Sequence, residues 1–281
     1  MPPAPDAWPP VRRVALGRPL HWLRLGAHDM RRAGWVSLVH GLVLAAVGAA
    51  IVAVAHQRFW LLAGALSGFL VVAPVLATSL YALSRALQHG EPSDFGVVLK
   101  TWLNWQDSHV NRWGNDYWCM VQFGSLLALA ATGWVLTSAA LITLLAPVPI
   151  LSPQDFVQHV VLAEHGSLFE LWLVMGGVLA APIYASSVVA MPLLLDRRVT
   201  LLQAVLTSWR CVLANPLAMG LWAALIAALT LLSLGTLMLG LIPLLPLLGH
   251  ASWHAYSDLV DASAWPAREG LAAAGSDRDG H

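Results

Sequence analysis

Six long apolar runs, none broken in its middle by Asp, Glu, Lys or Arg, constrain this chain more than any other feature. They fall at 35–55, 60–83, 119–145, 168–195, 217–237 and 238–256. Each is close to the roughly 20 helical residues that cross a hydrocarbon layer about 30 Å thick. Glu170 is the one acid within them, near an end. The last two runs are continuous, and Gly235, Gly240 and Pro243 are where the chain can turn. One long kinked helix, giving five spans, is the alternative. The expected fold is all-α and polytopic: six transmembrane helices in three hairpins, each preceded by an amphipathic surface helix. The expected organisation is a disordered Pro-rich tail at 1–19, one membrane domain at 20–262 and a disordered tail at 263–281.

Charge supports that count. Of 15 Lys and Arg residues, only Arg58 falls in the first, third or fifth connection. The rest precede the first run, lie in the second and fourth connections, or follow the last run. The positive-inside rule then puts both termini in the cytoplasm. Charged residues make up 11% of the chain, against about 25% in a soluble protein, and the net charge is +0. That balance gives no reason to expect a nucleic-acid partner. Cys119 and Cys211 form no CxxC, so neither a disulfide framework nor a zinc site is expected.

The three hairpins read as a repeat. In the last unit Leu201, Leu202, Val205, Leu206, Trp209, Val212 and Leu213 make one apolar face, and Asn215–Pro216 open the next helix. Weaker versions run over 20–30 and 95–113, the latter opened by Pro92, Ser93 and Asp94. Gly68 and Pro74 are spaced as Gly240 and Pro246 are, and Tyr81 and Trp253 each follow their proline by seven residues. Gly177 and Pro182 match more loosely. Gly64 and Gly68 form a GxxxG, a helix-packing pattern within or between chains. These five positions, Gly64, Gly68, Pro74, Gly240 and Pro246, are the candidate packing residues. The middle unit adds an insertion at 147–166, where Ser152, Pro153 and Asp155 open a short helix that turns Phe156, Val157, Val160 and Val161 to the membrane surface.

Polar candidates are few. His250, His254 and Asp258 recur at i, i+4 and i+8, one stripe on a helix, with Asp258 able to accept from His254. His40 and His250 each lie about 8 Å inside a span. If the first and last hairpins pack together, Thr78 and Ser79 can join them. Such a cluster can carry protons, bind a metal or hold a head group. The plainer reading is that the histidines and Trp253 anchor the helix and bond to neighbours. The aromatic residues Trp102, Trp105, Trp113, Tyr117 and Trp118 read as interfacial anchors, and Asp196-Arg197-Arg198 as a stop signal. No catalytic residue, metal ligand set or cofactor is expected.

The runs GFLVVAPVLATSLYALSRALQHGEP (68–92), MPLLLDRRVTLLQAVLTSW (191–209), NPLAMGLWAALI (215–226) and GLIPLLPLLGHASWHAYSDLV (240–260) together resemble a family of bacterial predicted integral membrane proteins, a domain of unknown function. The resemblance extends over 20–260 and implies an inner-membrane protein without implying an activity. Some sequences of this type are labelled cytochrome c oxidase subunit I. A haem–copper subunit needs about twelve spans and six His ligands, including an adjacent pair. Here no His-His occurs, and Ser257-Asp258 stands where the resemblance implies Arg-Asp. The expected role is a non-enzymatic helper or scaffold for a membrane complex. The alternatives are a transporter or channel for a small or lipidic solute, or a redox subunit. Expected partners are membrane lipids, other membrane proteins or a second copy.

Overall fold

The computed structural model describes residues 8–55, 59–107, 118–163 and 167–268. Among them are twelve α-helices: α1 (Arg18–Ala33), α2 (Trp35–Ala55), α3 (Phe59–Leu76), α4 (Thr78–Gln88), α5 (Phe95–Asp107), α6 (Trp118–Leu145), α7 (Pro153–Phe156), α8 (Leu168–Ser187), α9 (Ala190–Asp196), α10 (Leu201–Ala214), α11 (Pro216–Gly235) and α12 (Leu241–Leu259), with a π-helical turn over Val157–Val161 after α7. Among the described residues there is no strand, only two isolated bridges. Four runs of the described residues are long and apolar enough to cross a membrane: Trp35–Ala55, Val121–Leu145, Leu168–Asp196 and Pro216–Gly235. α12 has the length of a span, but His250, Ser252, His254, Ser257 and Asp258 fill its second half.

The last apolar run is two packed helices, not one kinked one. The chain turns at 236–240, where Leu237 and Met238 take positive φ of 52° and 70°. Gly240 closes that turn against Ser233 and Thr236 of α11.

α12 is the hub of the bundle. α1, α2, α4, α9 and α11 all pack on it. Two glycines permit the closest approaches. A Cβ at Gly26 of α1 would stand 2.7 Å from the Ala251 nitrogen, and one at Gly41 of α2 would collide with the Ile242 carbonyl. The small side also serves at Gly249, against Leu80 of α4. Of the GxxxG pair, Gly64 meets Val135 of α6, whereas Gly68 has nothing within 4 Å. Pro246 is buried within α12, and Pro74 lies in the last turns of α3, half-buried.

The packing runs in a circle. The surface helix α5 packs on α4, α10 packs on α8 and α9, and α1 packs on α12. Each therefore leans on the second helical run of the preceding unit, and the first leans on that of the last. At the middle, α4, α9 and α12 touch one another. Leu80, Leu83, Met191, Leu193, Leu194, Leu195 and Trp253 fill that centre, all fully buried.

The two second runs with a proline near their middle, Pro74 and Pro182, break, whereas α12 with Pro246 near its start does not; a side chain mends each break. Between α3 and α4 the Leu80 N–H turns to the Ala77 carbonyl, freeing that of Leu76. His40 Nε2 donates to it at 3.0 Å. Between α8 and α9 the Val189 N–H donates to Ser208 Oγ of α10 at 3.1 Å. A backbone group unsatisfied in an apolar bundle costs several kcal/mol, roughly, so these contacts hold the breaks open in a fixed shape.

α10 turns its small residues Ala204, Thr207, Ser208 and Cys211 inward; of its apolar stripe, Leu201, Val205 and Val212 pack against the core while Leu202, Leu206 and Leu213 stay exposed, which lipid outside makes favourable. Three expectations are corrected. In the 147–166 insertion, Ser152 and Asp155 form the reciprocal cap, but Val160 is buried and Phe156 packs on Phe59 and Trp172; only Val157 is openly exposed. Residues 8–17 are not a free tail. Val11 pairs with Val260, the Arg12 N–H donates to the Leu259 carbonyl, and Asn215 holds both Val14 N–H and the Arg12 carbonyl. Residues 263–268 are also held, through a bridge from Arg197 to Ala267 and an Arg268 N–H donating to the Asp196 carbonyl. Trp113 and Tyr117 lie outside the described residues, as do the side chains of Trp105 and Trp118.

Candidate functional site

The stripe of His250, His254 and Asp258 on α12 is real, and its last two members meet α1. The pairing along it is not. His254 does not bond to Asp258; its Nε2 donates to Asp29 Oδ2 of α1 at 2.8 Å. Asp258 instead takes Arg18 Nε at 2.6 Å, Arg18 Nη2 at 3.1 Å and Trp22 Nε1 at 2.8 Å. A forked guanidinium with an indole N–H saturates that carboxylate.

His250 is fully buried between α2 and α4. It does not meet Thr78 or Ser79. Its Nε2 lies 2.8 Å from Ser37 Oγ, and its Nδ1 lies 2.7 Å from Ser84 Oγ. Ser84 Oγ donates to Asp29 Oδ2 at 2.8 Å, so it must accept from His250. That assigns the ring proton to Nδ1 and makes Nε2 the acceptor for the Ser37 hydroxyl. The result is a one-directional chain, Ser37 to His250 to Ser84 to Asp29, with His254 entering the carboxylate from the other side. Every donor points toward a single buried anion. Burial pushes the Asp29 carboxyl up, but the hydrogen bonds from His254 and Ser84 outweigh it and hold it below its ordinary range.

His40 and Ser79 form a separate, looser group at 3.5 Å, with His40 already committed to the Leu76 carbonyl. Thr78 Oγ1 turns back to the Val75 carbonyl at 2.6 Å. The six candidates thus divide among four settings, and the residues that join the histidines, Asp29, Ser37 and Ser84, come from elsewhere.

A second buried charge sits at the centre. Asp196 Oδ1 accepts from Arg85 Nε at 2.9 Å, and Oδ2 accepts from Arg197 Nε at 2.8 Å and from the Tyr256 hydroxyl at 2.7 Å. Asp196 and Arg85 are both buried. Asp196 is thus an internal tie between α4, α9 and α12, not an exposed stop signal. Trp253, expected as an interfacial anchor, is buried and donates to Gln88 Oε1 at 2.8 Å.

Both charge groups lie at the end of the bundle where the ordered terminal segments also meet. Among the described residues, no group of three or more His, Cys, Asp or Glu side chains is placed to hold a metal ion. Residues 61–196 match a family described as predicted integral membrane protein (DUF2189). The chain is an integral membrane protein. The family match takes in Ser84, Arg85 and Asp196, while Asp29, Ser37, His250, His254 and the GHAxWHxY element at 249–256 lie outside it. No curated protein and no solved structure matches the chain.

Proposed function

We propose that the protein is a six-span inner-membrane scaffold or helper for a membrane complex, with both termini in the cytoplasm and no reaction of its own. The observation that carries this reading is the filled centre where α4, α9 and α12 meet: leucines, a methionine and a tryptophan without exposure. A carrier needs a polar site that opens in turn to each side. Here the two buried carboxylates are spent on neighbouring side chains, Asp29 on Ser84 and His254, and Asp196 on Arg85, Arg197 and Tyr256. Such ties fix helix positions and offer nothing to a solute.

The fifth and sixth crossings are α3 and α12, of 18 and 19 residues, or about 27 and 28 Å. The polar second half of α12 is supported by its partners on α1, α2 and α4. The circular packing of surface helices favours descent from three copies of one unit. Purification in mild detergent followed by mass spectrometry tests the role: a stoichiometric membrane partner is expected. Solute uptake by proteoliposomes, or a haem absorbance from the purified protein, would overturn it.

A further inference from the structure

α1 turns Trp22, Gly26, Asp29 and Ala33 inward, and its opposite face carries Arg24, His28 and Arg31, all exposed at i, i+4 and i+7. Arg32 is exposed beside them. None of these arginines is in an ion pair among the described residues, whereas Asp29, Asp196, Asp258 and Asp261 are each already taken by another base. The ridge therefore keeps its full positive charge.

The chain then bends at Gly34, whose φ of 60° and ψ of −132° favour glycine, and enters α2. Trp35 follows at once, 66% exposed and stacked parallel on Phe95 with ring centroids 6.2 Å apart. Leu38 and Leu42 continue the same exposed face at i+3 and i+7. An exposed tryptophan opening a span sits at head-group level. Arg31 and Arg32, within one turn of it, stand at the height of lipid phosphates.

We propose that this elbow is a binding site for an anionic phospholipid, with its phosphate held by Arg24, Arg31 and Arg32 and an acyl chain lying along Trp35, Leu38 and Leu42. Guanidinium forks match phosphate oxygens in pairs. The ridge has no acid to receive the ammonium of a zwitterionic lipid, which selects the anionic class. The inference needs α2 to cross the membrane and does not depend on the scaffold role.

Native mass spectrometry of the full chain, released from nanodiscs of phosphatidylglycerol mixed with phosphatidylcholine, provides the test. The wild type should retain phosphatidylglycerol in preference. The triple variant R24Q/R31Q/R32Q should bind it weaker by about fivefold per arginine, on the order of a hundredfold together. The matched R24K/R31K/R32K should keep most of the preference, and R13Q, at another exposed arginine, should leave it unchanged. These side chains are exposed and unpaired, so the melting temperature should hold, and single R31Q reports if the triple does not fold. Equal retention of both lipids by the wild type overturns the site, as does unchanged retention by the glutamine variants. Competition by inorganic phosphate at the lipid's own concentration would mark a soluble-anion site instead. Loss of an acidic protein partner from the triple variant, with phosphatidylglycerol still bound, would mark a protein interface.

Discussion

Replacing Ser84 with alanine removes one oxygen that serves two partners. Ser84 donates to the Asp29 carboxylate and accepts from His250 Nδ1. Its loss deletes a hydrogen bond to a charged group, about 1.5–3 kcal/mol, and strands a buried ring N–H, about 1–3 kcal/mol. His250 has no water to turn to, being fully buried. Together the change should destabilise by about 3–5 kcal/mol. Ser79, five residues earlier on the same helix, provides the comparison. Its hydroxyl lies 3.5 Å from a His40 that already bonds to a carbonyl, so Ser79→Ala should cost under about 1 kcal/mol. Thermal unfolding in detergent, followed by the fraction surviving size exclusion, reads the difference. At about 2–4 °C per kcal/mol, S84A should melt at least about 4 °C below S79A. Melting of the two variants within about 2 °C of each other would refute the reasoning, because the chain into Asp29 would then not be what holds α1, α4 and α12 together.

Acid provides a second probe. Asp29 has a folded pKa held below the ordinary carboxylate range by its donors, so its contribution is complete above about pH 4 and is lost as pH falls through the lower folded value. Asp29→Asn should therefore be less stable than wild type at pH 7 and lose less on further acidification; parallel acid limbs would count against the tie of Asp29 to Ser84 and His254. Gly26→Ala should cost about 1–3 kcal/mol, since the new methyl meets backbone atoms of α12 that cannot rotate away, and an unchanged melting temperature would show a looser crossing. For topology, alkaline phosphatase fused after Val260 should be inactive and fused within 147–166 active; activity after Val260 would remove the sixth crossing.

The apolar helices were legible because lipid imposes a length and a composition, and α2 begins and ends where the first run does. The face of α10 was not, since amphipathicity gives a stripe without saying whether water or lipid lies opposite. His250 was legible as inward-facing from the cost of an imidazole in hydrocarbon. Its partners were not. Ser37 and Ser84 are single small residues in apolar runs and leave no periodic trace. Asp29 sits among Arg24, Arg31 and Arg32, where an acid ordinarily reads as part of a solvated surface. Its place on the same stripe as Trp22, Gly26 and Ala33 was the available signal. His254 and Asp258 show the converse error: spacing put them on one face, but each was claimed across the interface by a different residue of α1.

The partnership of α1 with α12 also sets an order of events during synthesis. α1 carries Asp29, and of its two donors Ser84 is made 55 residues later and His254 only after 225. The pairing of Val11 with Val260 waits longer still. Until α12 docks, α1 is a basic segment with a partly bonded carboxylate and an uncovered Trp22. Closure of the bundle at α1 therefore waits for the synthesis of α12. A chain stopped before α12 should insert its earlier helices and yet be recognised as unfinished, because the fault would be displayed at the end made first.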